Sequence, residues 1–276
     1  MKTPLLFLTM LCAAVSFSQE TIKQDSLKTV TVEGSRKGIK KSLNVTANTT
    51  LVTSKELLKA ACCNLAESFE TNPSIDVNFS DALTGTKQIK MLGLTSPYIL
   101  ITEENVPSVR GASQAYGMSF TPGTWVESIQ ITKGAGSVVN GFESISGQIN
   151  TELIKPIGDI PLFVNAYGDS GSRFELNTHF NKKVSDKWAT SLFVHGNARV
   201  AKNDMNDDGF MDNPLGKQLN VVNRWQYANP ESGWVSFLNV RYMNDEKQTG
   251  QLDFDPDRDQ LTTNYWGSEI NTERLD

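Results

Sequence analysis

The residues best suited to chemistry lie in one acidic stretch, Asp204-Met205-Asn206-Asp207-Asp208-Gly209-Phe210-Met211-Asp212. Asp204, Asn206 and Asp208 occupy alternate positions, a glycine follows Asp208, and Asp212 closes the stretch. Hard oxygen ligands spaced this way on a turning backbone converge on one point, and the glycine permits the sharp bend. The pattern matches the front of a calcium loop. Such a loop ends in a bidentate glutamate, but Leu215 stands in that place. Calcium here would order a loop, and the competing reading is a solvated acidic loop tip. No other cofactor is required. The second group is the adjacent pair Cys62 and Cys63. Thiolates select soft metals such as copper(I), whereas the plain alternative is two small, partly buried residues. Neighbouring Cα atoms lie about 3.8 Å apart, closer than an unstrained disulfide prefers. The two histidines are His179 and His195. With no Ser-His-Asp order, metal-protease spacing, P-loop or Rossmann glycine set around them, the chain does not read as an enzyme.

The ends and the composition narrow the setting. Lys2, the apolar run from Leu5 to Val15, and small residues at Ser16 and Ser18 before Gln19 read as a cleaved export signal over residues 1–18. The net charge is −5 and the pI about 5.2, with no basic stripe, which argues against nucleic acid. No later segment reaches the ~20 apolar residues of a spanning helix. Barrel strands escape that criterion, because they are short and alternate.

Residues 156–276 carry such alternation. In Arg173 to Asn181, Phe174, Leu176, Thr178 and Phe180 share one face, opposite Arg173, Glu175, Asn177, His179 and Asn181. Trp188 to Ala198, Leu219 to Tyr227 and Trp234 to Tyr242 repeat the pattern. With a first strand near Leu162 to Tyr167, about five are predicted. A soluble sandwich with one wet face would alternate similarly. Lengths of about 9–11 residues, aromatic ends, and connections that alternate short and long favour an outer-membrane barrel instead. The short connections are Lys182 to Lys187 and Asn229 to Gly233. Arg199 to Gln218 and everything after Met243 read as long loops.

Residues 48–155 read as one α/β unit. A helix opens at Ser54, a short strand covers Ile75 to Phe79, a second covers Lys87 to Gly93, and Tyr98 to Thr102 is a third. The unit closes on VESIQITKGAGSVVNGFESISGQINT, residues 126 to 151, whose glycines supply tight reversals. This segment resembles the end of the plug domain of TonB-dependent outer-membrane receptors. The course before it is similar too: a helix, an "NPSIDV" strand, a short strand ending in glycine, and a hydrophobic strand with a turn. The family's Asp-Gly turn appears here as Glu103-Glu104-Asn105, and Leu92 stands where arginine is usual.

The resemblance implies an α/β plug followed by the start of an antiparallel transmembrane β-barrel. It implies energy-coupled uptake of a scarce small-molecule or metal-complex ligand, a siderophore or cobalamin for example. Within the flexible segment 19–47, the extended island Thr29-Val30-Thr31-Val32 sits where the family carries its Ton box. There a TonB-type inner-membrane protein would pair with it by strand addition. Outer-membrane lipid would contact the strands, and Ser80 to Thr86 and Pro107 to Phe120 would meet ligand. Arg224, Arg241 and Glu175 are expected to hold the plug through polar contacts. Five strands cannot close a barrel, since the smallest have about eight, so the chain is expected to be a piece of a longer receptor. The alternative is a surface ligand-binding or adhesion protein without energy coupling.

Overall fold

A computed structural model describes residues 39–41, 48–57, 65–69, 72, 75–81, 86–95, 97–111, 113, 116–136, 141, 143–158, 160–261 and 264–276. The first part builds a mixed sheet. Its strands are β1 (Ile39–Lys41), β2 (Asn48–Thr53), β6 (Ile99–Glu103), β7 (Val106–Pro107), β8 (Val126–Lys133) and β9 (Gly147–Leu153), in the order β1-β2-β8-β9-β6-β7. Only the β6–β9 pairing is parallel. A three-stranded sheet of β3 (Asp76–Asp81), β4 (Thr86–Met91) and β5 (Leu94–Thr95) lies beside it. The short helix α1 (Ser54–Leu57) follows β2.

Apolar side chains drive this unit together. Ile129, Ile131 and Ile149 are fully enclosed and pack with Ile99, Ile101, Met91 and Phe69. β6 is buried on both faces, Ile99 through Thr102, and so reads as an unbroken apolar run instead of an alternation. Two glycines of the 126–151 segment have separate duties. Gly134 takes φ 82° just after β8, a backbone state that side chains resist. Gly147 is needed for space: a Cβ there would lie 2.5 Å from Met91 Cε and 2.6 Å from the Thr132 carbonyl oxygen.

The second part is an antiparallel meander: β10 (Leu162–Gly168), β11 (Arg173–Lys183), β12 (Trp188–Arg199), β13 (Leu215–Asn229), β14 (Trp234–Gly250) and β15 (Gly267–Leu275). Its faces are inverted relative to a water-soluble sheet. On β11 the polar residues Glu175, Asn177, His179 and Asn181 are buried, while Phe174 is 59% exposed, Leu176 50% and Phe180 46%. Gln218, Asn220, Arg224 and Gln226 are buried on β13; Leu238 and Val240 face out from β14. Burying such a side chain is worth about 1.5–3 kcal/mol. Forgoing that at many positions equals a soluble domain's whole stability of roughly 5–15 kcal/mol, so the outer face is built for a medium other than water. Among the described residues no helix is long and apolar enough to cross a membrane, which says nothing of strands.

Two strand readings need correction. The polar stretch after Met243, expected as loop, continues β14 to Gly250, paired with β13 through Leu215↔Gln248. A sixth strand, β15, then pairs from Gly250↔Gly267 to Tyr242↔Leu275. β13 and β14 consequently run 15 and 17 residues, beyond the length expected. Trp188 gathers with Trp225 and Tyr227, at ring separations of 6.4 and 5.0 Å, at the end where the connections to β11 and β14 are short. Replacing outward-facing Leu238 with arginine (Leu238→Arg) should cost roughly 2–4 kcal/mol near the bilayer centre. Urea unfolding in lipid vesicles measures this; an unchanged midpoint would mean that the face meets water.

Candidate functional site at the plug–wall seam

The polar face of the meander is filled by the first sheet, and the contacts concentrate at two places. The lower one is the β6–β7 hairpin. Its two turn residues, Glu104 and Asn105, take φ 53° and 66°, the left-handed pair that a two-residue type I′ turn demands. Asn150 on β9 fixes the turn: its Oδ1 accepts from the Asn105 N–H at 2.7 Å and the Thr102 hydroxyl at 2.8 Å. The Glu104 N–H donates to the Thr151 carbonyl at 2.8 Å. So held, the adjacent carboxylates reach two arginines of the wall. Arg241 Nη2 donates to Glu103 Oε1 at 2.8 Å and Oε2 at 3.0 Å. Arg224 Nη2 lies 2.6 Å from Glu104 Oε1.

Arg224 has no exposed surface. Its guanidinium nitrogens make no aligned hydrogen bond. It is held by the Glu104 charge and by the Phe237 ring, whose centroid lies 4.6 Å from Cζ. Lys155 completes the group, donating to Glu104 Oε1 at 2.6 Å and Glu152 Oε2 at 2.7 Å. Burial alone would raise the Glu104 carboxyl; the Lys155 hydrogen bond and the charge of Arg224 outweigh it and hold the group below its ordinary value.

The upper contact is made by residues 116–120. Asn220 Nδ2 donates to the Phe120 carbonyl at 2.6 Å, Gln218 Nε2 to the Ser119 carbonyl at 3.3 Å, and Lys247 Nζ to Ser119 Oγ at 3.2 Å. Between the two contacts lies a small apolar seam of Trp125 and Leu153 against Phe193 and Val222. The seam is therefore one apolar bolt between two polar clasps.

The residues singled out from sequence fall variously. Arg224 and Arg241 do grip the plug. Glu175 does not: it pairs with Arg173 at 3.1 Å and accepts from Asn177 Nδ2 at 2.7 Å, both on its own strand. Glu103 and Glu104, the acidic half of the clasp, were legible only as an unusual turn. Asp204, Asn206, Asp208 and Asp212 share one exposed loop, where their side chains serve the loop itself. Asp204 accepts from the Asp208 and Gly209 N–H groups, Asp208 from Phe210 N–H and Asn206 Nδ2, and Asp212 from Met205 N–H. Among the described residues no group of three acidic, histidine or cysteine side chains is arranged to hold a metal. Thr29, Val30, Thr31, Val32, Cys62 and Cys63 lie outside the described residues.

The lower clasp gives a measurable expectation. Glu104→Gln leaves the Arg224 charge buried without its anion and should cost about 3 kcal/mol of plug docking. Glu104→Gln with Arg224→Met should recover most of that, a coupling that hydrogen exchange of β6 in a double-mutant cycle reads. Because the Glu104 carboxyl is lowered in the docked state, its contribution is complete above the ordinary value of 4.5 and is lost as the pH falls below it.

A family model described as the TonB-dependent Receptor Plug Domain matches residues 41–148. Among solved structures, FpvA of P. aeruginosa bound to heterologous pyoverdines is 15% identical with a TM-score of 0.62, over 85% of this chain and 32% of its own. The ferric-catecholate import receptor Fiu of E. coli is 15% identical with a TM-score of 0.54, over 75% of this chain and 28% of its own. The siderophore receptor PirA of Acinetobacter baumannii is 16% identical with a TM-score of 0.52, over 82% and 37%. The chain thus spans between about a quarter and two fifths of these structures, and at such identity the likeness is one of fold. No curated protein matches the sequence. The segment that docks through its acidic hairpin onto the polar face of the strands is thus the one that matches the plug domain of TonB-dependent receptors, and the strands after it share the fold of the solved receptors.

Proposed function

We propose that the protein acts in the outer membrane as a receptor for TonB-dependent uptake of a scarce ligand, a ferric siderophore or a related metal complex. The observation that carries this reading is the inverted meander: apolar side chains face outward while the plug satisfies the polar face. That is the arrangement of a lipid-embedded wall with a removable filling. A static receptor could be filled by side chains alone; a separate domain held by polar clasps can be rearranged without unmaking the wall. Fiu and PirA, named as ferric-catecholate import and siderophore receptors, support the ligand class.

Energy would enter through Thr29-Val30-Thr31-Val32, offered as an extended strand to a TonB-type partner of the inner membrane. Ligand would bind on the outer side, and a pull on the tail would loosen the plug. The export signal at residues 1–18 fits this destination.

Deleting Lys28 to Gly34 tests the coupling, with a ferric pyoverdine and a ferric catecholate as probes. Binding to whole cells should be unchanged while accumulation of the bound complex falls at least about tenfold, to the level of cells lacking the partner (strand addition being lost). Equal accumulation with and without the segment would identify a surface binding protein instead. Failure of both probes to bind would overturn the ligand class.

A further inference from the structure

Beside the seam, a cavity of about 610 Å³ separates the plug from the first two strands of the wall. Ser54 and Leu57 of α1 line it on the plug side, with Thr124 just ahead of β8. Phe163 of β10 and His179 and Asn181 of β11 line it on the wall side. The cavity runs lengthwise. Tyr167 and Glu175, paired across β10 and β11, stand at the end toward the long loops, and Asn181 stands at the end toward the short turns. From Glu175 to Asn181 the strand covers about 20 Å at ~3.4 Å per residue. That is most of the ~25 Å height of the apolar band on such a wall. Both clasps grip β13 and β14, through Gln218, Asn220 and Arg224 on the first and Arg241 and Lys247 on the second. β10 and β11 lie outside them.

The lining also holds hydrogen-bonding capacity in reserve. His179 is 3% exposed, its ring stacked on Phe163 at 5.0 Å, and its Nδ1 has no hydrogen-bond partner among the described residues. The Thr124 hydroxyl, on the plug side, has none either. Buried polar atoms are normally satisfied. Two that are not, on the two sides of one gap, would meet the donors and acceptors of a solute as the gap widens. We infer that the ligand crosses through this gap, between α1 and the inner face of β10 and β11, and that tension on the tail opens it by drawing α1 away. The inference rests on the proposed uptake function and adds a route to it. A cavity of this size holds a drug-sized molecule, so a bulkier metal complex needs one side to give. The wall side is continuous sheet. The plug side is α1, which follows β2 directly, and only β1 stands between β2 and the sheet border. At rest Leu57 packs into the plug core and holds α1 in place. Removal of β1 and then β2 carries α1 with it, while the clasps keep the rest of the plug on β13 and β14.

Filling the gap tests the route. Asn165 lines it from β10. Asn165→Trp should leave binding of the ferric pyoverdine or ferric catecholate to whole cells unchanged. It should lower accumulation at least about tenfold, because the added rings take up much of a drug-sized cavity. Asn239→Trp, in the other plug–wall cavity beside the lower clasp, should accumulate at the unaltered rate. Accumulation that survives Asn165→Trp, or that falls equally in Asn239→Trp, would overturn the route and leave the receptor function standing. No accumulation by cells carrying the unaltered protein would overturn that function and the route with it. If Asn165→Trp fails to bind either probe, labelling of Asn165→Cys by a thiol reagent, with Cys62→Ser and Cys63→Ser, decides the matter. Labelling should rise several-fold when probe and partner are both present, and should not rise once Lys28 to Gly34 are deleted. Equal labelling with and without that segment would overturn the route.

Discussion

A sheet whose apolar side chains point away from the protein turns its polar side chains inward, and those must be satisfied without bulk water. This constraint organises the whole molecule. Arg224, Arg241, Asn220 and Gln218 all project from the meander toward space that the plug occupies, and each finds a plug oxygen there. Burying a cation without a partner is among the costliest things a protein can do. The plug is therefore no passive filling. It supplies the counter-charges for Arg224 and Arg241, while Glu175 and Asp245 find theirs within the wall.

The partition between polar and apolar contacts would suit a part that leaves and returns, as the proposed uptake requires. The apolar seam of Trp125, Leu153, Phe193 and Val222 is small beside the plug's own core. Cohesion within the plug is hydrophobic and cohesion across the seam is largely electrostatic. Polar contacts can be exchanged for water as the seam opens, so their loss is offset along the way. A large hydrophobic seam would offer no such exchange.

Much of this was readable in the residues. The alternation of Phe174, Leu176 and Phe180 with Glu175, Asn177 and His179 marks a two-faced strand, and Arg224 and Arg241 stand out as charges on an inward face. What stayed hidden has a physical cause. Period-two patterning needs one face in an apolar medium. Residues 244–250 and β15 are polar on both faces, so only ladder pairing makes them strands. Glu103 and Glu104 were obscured for another reason: a turn normally favours Gly or Asn at positive φ, and Glu104 accepts that strain at φ 53° because its carboxylate is wanted there. The upper clasp was hidden because its partners, Gln218 with Ser119 and Asn220 with Phe120, lie 99 and 100 residues apart in sequence.

The pairing of the first two strands bears on how the plug would yield to force. Load arriving from the N-terminal side reaches Ile39 first, and β1 is an outermost strand of three rungs, Ile39↔Val52 to Lys41↔Thr50. With β1 detached, tension passes to Asn48, the end of β2 opposite Lys133, and β2 has become the new border. A load directed away from the sheet edge would part each strand from its neighbour one hydrogen-bonded step at a time. The parallel β6–β9 pair and its acidic tip lie two strands further in. Under the proposed function, a pull on the tail would unravel the near border before the clasped remainder, and the opening would be graded by how far the tail is drawn.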